Sequence, residues 1–558
     1  MKLTGAQILI EALLAQGTDV VFGYPGGAVL NIYDALYERR EAIRHILTSH
    51  EQGASHAADG YARSTGKVGV VIATSGPGAT NLVTGIATAY HDSVPLVAIT
   101  GNVPQALLGR DSFQEVDIVS ITKTVVKKNF FVTSPADLPG IVREAFEIAA
   151  SGRKGPVLID IPKDVTAMKT EYIPQPHYQY QTGPEIDPAS LAEAAQAIAA
   201  SERPLIYCGG GVTFSDSSEA LLAFAKKIQA PVCTSMMGLS SIPTDSELNL
   251  GLVGMHGTAT ANMAVSKCDL LLAIGARFSD RVAGDRKNFA RNARIIHLDI
   301  DKKEINKNVE AQLWVLGHVG ETLARLTDLV PEVTHPEWMH TIFRHKAYNG
   351  LPFAKSEGKN VNPREVITAL RPFLGEEGIL VTDVGQHQML AAQYYPFVKP
   401  RTFLSSSGLG TMGYGMGAAN GAAVGNPNRR VALVTGDGSF HMNMAELAVA
   451  VSHQLPLVVV IMNNGVLGMV HQWQNLFYGG RYSQTEIGRK TDFVAFAESF
   501  GAKGLRIEDA SQIRPVLEEA FAWGQGPCVV DCRIPSAERV FPIIPAGGTE
   551  DDMIYAED

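Results

Sequence analysis

Short, largely apolar runs recur along this chain, many bounded by Gly, Pro, Asn or Asp and followed by a stretch of helical periodicity. Examples are residues 20–22, 68–73, 96–100, 204–208, 270–274, 295–298 and 457–462. Each run is strand-length and apolar on both faces, the pattern of a central strand in a covered parallel sheet rather than of a half-exposed strand, which alternates. Strand and helix signals alternate throughout, so the expected fold class is α/β, with doubly wound parallel sheets. Three blocks emerge: residues 1–170, 188–330 and 361–558. The Pro-rich polar stretch 173–187 and the Pro-, His- and charge-bearing stretch 331–360 read as connectors.

The third block carries the most informative motif. Val431-Ala432-Leu433-Val434-Thr435-Gly436-Asp437-Gly438-Ser439 is followed, after a helix-length interval, by Pro456-Leu457-Val458-Val459-Val460-Ile461-Met462-Asn463-Asn464. This reads as strand, tight turn, helix and second strand. A βαβ crossover puts both turns at one carboxyl edge of a parallel sheet, so Asp437 and Asn464 can converge. A carboxylate, an amide carbonyl and a free main-chain carbonyl form a hard oxygen site of the kind Mg²⁺ takes together with phosphate oxygens. Gly438 permits close approach of the main chain, and a helix starting near Ser439 aims free N–H groups at an anion. The pattern resembles the magnesium–diphosphate signature of thiamine diphosphate enzymes.

A faint repeat accompanies it. Val70-Val71-Ile72-Ala73-Thr74-Ser75-Gly76-Pro77-Gly78 leads to Pro95-Leu96-Val97-Ala98-Ile99-Thr100-Gly101-Asn102 in the same layout. Gly76 and Gly78 match Gly436 and Gly438, but Pro77 stands where Asp437 stands. The two end blocks therefore read as copies of one fold, of which only the later can hold metal.

Composition narrows the field. Of 558 residues, 46% are hydrophobic and 19% charged, with net charge −10 and no basic block, which speaks against nucleic acid or an anionic membrane as partner. No apolar run approaches membrane-spanning length. The N-terminus shows neither a signal-peptide nor a transit-peptide pattern, and cytoplasmic location is expected. Five cysteines without Cys-x-x-Cys spacing read as small buried hydrophobes. One rival motif exists: Gly408-Leu409-Gly410-Thr411-Met412-Gly413 fits a dinucleotide fingerprint, but Thr402-Phe403-Leu404-Ser405-Ser406-Ser407 is a poor first strand for it.

A diphosphate anchor needs a reacting end. Ser49-His50-Glu51-Gln52-Gly53-Ala54 places an acid between a strand and a helix, where a carboxyl could protonate the thiamine pyrimidine. Together with Pro25-Gly26-Gly27-Ala28, Gly76-Pro77-Gly78-Ala79-Thr80-Asn81, Ile161-Pro162-Lys163-Asp164-Val165, Gly254-Met255-His256-Gly257, Gly275-Ala276-Arg277-Phe278-Ser279-Asp280-Arg281-Val282 and Leu467-Gly468-Met469-Val470-His471-Gln472-Trp473-Gln474, the whole chain resembles acetohydroxyacid synthase, the catalytic subunit of acetolactate synthase.

The resemblance implies first and third domains that bind thiamine diphosphate and a middle domain that binds FAD. It implies that Asp437, Asn464 and the Val466 carbonyl hold Mg²⁺, and that Gln386, His387, Gly438, Ser439 and Met469 hold the cofactor. Met412 would wedge thiamine into a bent form beside Gly410. Glu51 would activate the cofactor of another chain, which makes the site a dimer-interface site in a homodimer or tetramer. Gly27, Phe113, Gln114 and Lys163 would line the substrate side, Arg281 bind the second keto acid, and Trp473 favour 2-ketobutyrate. Arg153, Gly209, Gly210, Gly211, His256, Gly257, Gly275, Arg277, Asp299 and His318 would hold a structural FAD. The implied reaction decarboxylates pyruvate and joins its two-carbon unit to pyruvate or 2-ketobutyrate, giving 2-acetolactate or 2-aceto-2-hydroxybutyrate for branched-chain amino acids. A small regulatory subunit is a possible partner. A pyruvate oxidase, a simple 2-keto acid decarboxylase and the fermentative acetolactate enzyme are the near alternatives. Departures from the family pattern are Asn31 and Gly417, each where Pro is common, Ser279 where Asp is common, and His318 where Asp is usual.

Overall fold

The computed structural model describes residues 1–180 and 183–556, so Gln181 and Thr182 of the first connector lie outside the described residues. Three six-stranded sheets, each wholly parallel, account for the aliphatic runs. The first contains Val20–Tyr24, Arg44–Leu47, Gly69–Ala73, Leu96–Asn102, Lys128–Phe131 and Pro156–Pro162. The third contains Ile379–Thr382, Phe403–Leu404, Val431–Gly436, Leu457–Asn463, Lys503–Ile507 and Cys528–Arg533. Numbered in the order the chain forms them, the strands of both sheets stand 2-1-3-4-6-5. The repeat in the sequence is thus a repeat of topology.

The middle sheet differs. Its strands Pro204–Cys208, Val232–Thr234, Asn249–Leu252, Leu270–Ile274, Arg294–Asp299 and Leu313–Leu316 stand 3-2-1-4-5-6, the dinucleotide-binding order, whose ligand crevice lies beyond the carboxyl ends of the strands.

The first and third units share one continuous hydrophobic core. Its seam is helix Glu51–Thr65 against helix Tyr414–Gly425, and both faces are built from small residues. A Cβ on Gly421 would strike the Ala57 carbonyl, and one on Gly60 the Ala418 carbonyl. A Cβ on Gly417 would lie 2.8 Å from the Gly53 carbonyl, so this glycine, where proline is common, is part of the close approach. Asn31, the other such departure, donates from Nδ2 to Thr166 Oγ1 at 2.9 Å and ties helix Leu30–Glu38 to helix Lys163–Ala167.

Two elements were not apparent in the sequence. Lys2–Thr4 pairs antiparallel with Lys169–Glu171 and closes the first unit. The second connector contains helix Pro336–Tyr348, whose Trp338 is buried in the middle core and donates to the Pro204 carbonyl at 3.0 Å. All five cysteines are free and buried. Among the described residues, no helix is long and apolar enough to cross a membrane.

Replacing Gly421 by Ala should lower the thermal midpoint by overpacking, at a cost of about 1–3 kcal/mol. Gly140 lies in a helix with open space around its Cα, so Gly140→Ala should raise the midpoint, worth roughly 1 kcal/mol. Scanning calorimetry of the two variants checks both signs.

Candidate functional site

Strands Val431–Gly436 and Leu457–Asn463 pair in parallel with Gly436 opposite Met462. Asp437 and Asn464 therefore leave the sheet side by side. Asp437 is 5% exposed and the main-chain N–H groups of Asp437, Asn464, Gly438 and Gly465 face its carboxyl, yet its Oδ1 has no partner. Burial pushes it up to about 6 against the pull of those N–H groups. A buried carboxylate oxygen left empty is costly unless a cation meets it. Asn464 Oδ1 accepts from Val466 N at 3.2 Å, and Val466 is itself buried. The oxygen set expected for Mg²⁺ is therefore grouped in one place. The helix begins at Asp437 itself, two residues before its expected start, and runs only to Asn443.

The donors around it follow from the neighbouring strand. After Ile379–Thr382 the chain turns through Gly385, and helix Gln386–Tyr394 starts. His387 packs beneath Gly436 and is buried, with Nε2 unpartnered; burial pushes the imidazole down to about 3 against a hydrogen bond to the Asp383 carbonyl. Ser439 Oγ donates to the Val384 carbonyl at 2.8 Å. Gln386 is committed elsewhere: its Nε2 donates to Gln472 Oε1 at 3.2 Å and to the Glu538 carbonyl at 2.9 Å, and its Oε1 accepts from Asn464 Nδ2 at 3.4 Å. It orients Asn464.

These groups line a cavity of about 70 Å³. Val384, Gly385, Met412, Met469 and Val470 also line a second cavity of about 1300 Å³, so the two abut at Met412. The larger one reaches Gly410, Trp473 and Arg281 and runs into the middle unit along Arg153, Gly210, Gly211, His256, Gly275, Arg277, Asp299 and His318. Gly209 and Gly257 are not on its wall. A Cβ on Gly209 would strike the Gly275 carbonyl, and one on Gly257 would lie 2.7 Å from Gly254 N, so both permit close backbone packing just behind it. Arg281 is largely exposed, with Asp280 3.9 Å away and Met255 Sδ at 3.6 Å, which leaves most of its guanidinium N–H groups open toward the cavity. Trp473 stands edge-on to Phe477.

The first unit presents its own cluster at the same kind of edge. Glu51 starts a helix after Arg44–Leu47, and its Oε2 accepts from Asn81 Nδ2 at 2.9 Å. A Cβ on Gly78 would lie 3.2 Å from Glu51 Oε1. Gln114, at φ 60°, packs its backbone on Gly76. Gly27 is exposed, Lys163 begins a short helix, and Phe113 is 88% exposed. None of these residues lines the cavities at Met412.

A buried acid outside the expected set, Asp383, stands at the same edge. Asp383 accepts from Val384 N, Gly413 N and Gly415 N at 2.8–2.9 Å, and so holds the turn carrying Met412; burial pushes it up to about 6. Its signal was an acid directly after an aliphatic strand. The Gly408–Gly413 motif follows the two-residue edge strand Phe403–Leu404, not the first strand of the dinucleotide-ordered sheet.

An orphaned buried carboxylate beside a carboxamide, at the edge of one of two duplicated parallel sheets, is the arrangement expected of a thiamine diphosphate enzyme. Three families of that class match: the thiamine pyrophosphate enzyme N-terminal TPP binding domain over residues 3–121, the central domain over 191–326 and the C-terminal TPP binding domain over 383–532. Curated relatives are acetolactate synthase large subunits from Parasynechococcus marenigrum (46% identical, over 99% of this chain and 91% of theirs), Corynebacterium glutamicum (44%, 100% and 90%) and Haemophilus influenzae (41%, 100% and 99%). The chain belongs to the acetolactate synthase large-subunit family.

Replacing Asp437 by Ala should weaken magnesium-dependent binding of thiamine diphosphate by about 10²-fold, equivalent to ~3 kcal/mol. Far-ultraviolet circular dichroism should be unchanged. Titration calorimetry in Mg²⁺ checks this.

Proposed function

We propose that this chain joins two 2-keto acids: it decarboxylates pyruvate and adds the two-carbon unit to a second pyruvate or to 2-ketobutyrate. The observation that carries the reading is the orphaned Asp437 Oδ1 beside Asn464, at the junction with a cavity that also holds Met412, Trp473 and Arg281.

The residues present fit Mg²⁺ and a diphosphate. Asp437 Oδ1, Asn464 Oδ1 and the Val466 carbonyl would hold the metal, and His387 Nε2 and the Gly438–Ser439 main chain the phosphate oxygens. When bound, thiamine diphosphate supplies the electron sink for loss of CO₂. The protein's work is placement and charge. Met412 and Met469 form an apolar shelf between the two cavities and exclude water. Arg281 would offer a planar fork of N–H donors to a carboxylate, and Trp473 would shape the space for the acceptor's alkyl group.

FAD fits the larger cavity. The middle sheet has the dinucleotide order, Gly210, Gly211 and Gly275 leave its wall without side chains, and Arg153 and Arg277 supply positive charge. The flavin is proposed as structural. His318 stands in the wall where an acid is usual in the family and changes the charge offered at that end.

Glu51, Gly27, Gln114 and Lys163 of the same chain line neither of the cavities at Met412. This supports a site completed by a second copy, whose Glu51 would hold the proton at the pyrimidine N1′. A small regulatory subunit is a proposed partner, in keeping with the name of the relatives.

Incubation with pyruvate, Mg²⁺ and thiamine diphosphate should yield acetolactate and CO₂. Acetyl phosphate with peroxide, or free aldehyde, would assign another thiamine reaction. Glu51→Gln should slow hydrogen exchange at cofactor C2 by about 10²–10⁴-fold with the fold intact. Trp473→Leu should lower the share of 2-aceto-2-hydroxybutyrate when pyruvate and 2-ketobutyrate compete.

A further inference from the structure

The two duplicated sheets carry the same polar pair at the same register. In each, the fourth and sixth strands in chain order are parallel neighbours. In the first sheet Asp160 stands opposite Thr100 and accepts from Asn102 Nδ2, two residues on, at 2.7 Å. In the third sheet Asp531 stands opposite Ile461 and accepts from Asn463 Nδ2, again two residues on, at 2.8 Å. Residues i and i+2 of a strand share a face, so one rule makes both bonds. All four residues are buried.

The two copies then diverge. Asp160 takes a further bond from Thr100 Oγ1, at 2.7 Å, in the same neighbouring strand. Ile461 replaces that threonine in the third sheet, and Asp531 is met by two arginines, Arg533 Nη2 at 2.9 Å and Arg506 Nε at 3.2 Å. Arg506 Nη2 donates in turn to Asp492 Oδ1 at 2.5 Å, and Asp492 caps helix Phe493–Ser499. Thr491, the residue before it, has its Oγ1 2.8 Å from His441 Nε2. His441 Nδ1 donates to the main-chain carbonyl of Asp437 at 2.6 Å.

This circuit starts at Asn463 and ends at Asp437. Asn463 directly precedes Asn464. Its side chain is held by Asp531, and its carbonyl accepts from Ile534 N at 3.1 Å. The peptide that leads into Asn464 is thus tied at two points to the sixth strand, just before the chain turns through Gly465 at φ 71°. The other end of the circuit holds the first peptide of the Asp437 helix. Charge-assisted bonds in a dry interior fix position tightly. Mg²⁺ demands near-ideal octahedral geometry, whereas Ca²⁺ accepts looser and longer arrangements. Two arms held at a set spacing therefore favour the smaller ion.

We propose that Asp531 is a positioning residue for the metal edge. Through Asn463 on one side, and through Arg506, Asp492 and the Thr491–His441 contact on the other, it sets the spacing of the Asn464 and Asp437 arms to that of a small cation. The inference rests on the reading that these arms hold Mg²⁺ against a diphosphate. Asp160 is the built-in comparison: the same pair, at an edge where Pro77 stands in place of Asp437.

The test titrates thiamine diphosphate by calorimetry into the unaltered chain, Asp531→Asn and Asp160→Asn, over a series of Mg²⁺ and, separately, Ca²⁺ concentrations. Thermal midpoints are measured alongside. Both variants replace a buried carboxylate by its amide, and both should lower the midpoint. Only Asp531→Asn should raise the Mg²⁺ concentration needed for half-saturation, by about 10-fold, with a smaller change for Ca²⁺. Asn463→Ala removes the bond from its other end, leaves both arginines on Asp531, and should lower the preference for Mg²⁺ in the same way. Should Asp531→Asn fail to fold, Asn463→Ala decides alone. An unchanged Mg²⁺-to-Ca²⁺ preference in either variant, or an equal fall in Asp160→Asn, would overturn the proposal and leave the metal reading standing. Failure of the unaltered chain to bind thiamine diphosphate in either cation would overturn both.

Discussion

The parallel pairing of Val431–Gly436 with Leu457–Asn463 is the constraint on which the site depends. Parallel neighbours end at the same edge, so the residues that follow them emerge together whatever the helix between them does. Asp437 and Asn464 are adjacent for that reason. That helix is in fact interrupted, ending at Asn443 and resuming at Leu447 after a short tight turn, and the convergence survives. The same rule places Glu51, Gly78 and Lys163 at the edge of the first sheet, and Gly210, Gly275 and Asp299 at the edge of the middle one. Three copies of one geometric rule supply an edge with an orphaned carboxylate, an edge with Glu51 and a glycine-lined crevice.

What joins these edges is buried and polar. Helices Glu51–Thr65 and Tyr414–Gly425 approach closely because their facing residues are Gly and Ala, and dispersion contacts hold the seam. Arg63 lies beside that seam, with Asp59, Asp92 and the Tyr414 hydroxyl around it. Removing one partner from a buried pair costs about 3–5 kcal/mol, so the network has few tolerated alternatives. Its position between the units gives it a role in geometry as well as in stability.

Much of this was legible in the sequence. Aliphatic runs located the central strands, and the match between residues 70–102 and 431–464 announced a duplication that the identical strand orders bear out. The Asp437 and Asn464 pair could be read because the βαβ rule converts spacing into position. The Gly408–Gly413 fingerprint was rightly distrusted, since a motif has meaning only after the correct strand. Other features were hidden for physical reasons. The Lys2–Thr4 ribbon is three residues long with a single apolar residue, Leu3, too short for periodicity to register. Helix Pro336–Tyr348 is rich in His and charge and buries only a narrow stripe. Asp92, Asp383 and Arg63 look like ordinary helix-end and strand-end residues, because partners such as Ser405, Ser407 and Gly408 for the first unit, and Gly413 and Gly415 for Asp383, lie outside their own elements.

The most direct measurement is a crystal structure of the chain grown with thiamine diphosphate and Mg²⁺. The account requires the metal bound by Asp437, the Asn464 side-chain oxygen and the Val466 carbonyl, with the diphosphate against His387 and Gly438. A metal ligated elsewhere, or a diphosphate seated in the Gly408–Gly413 turn with Asp437 Oδ1 still unpartnered, would contradict it.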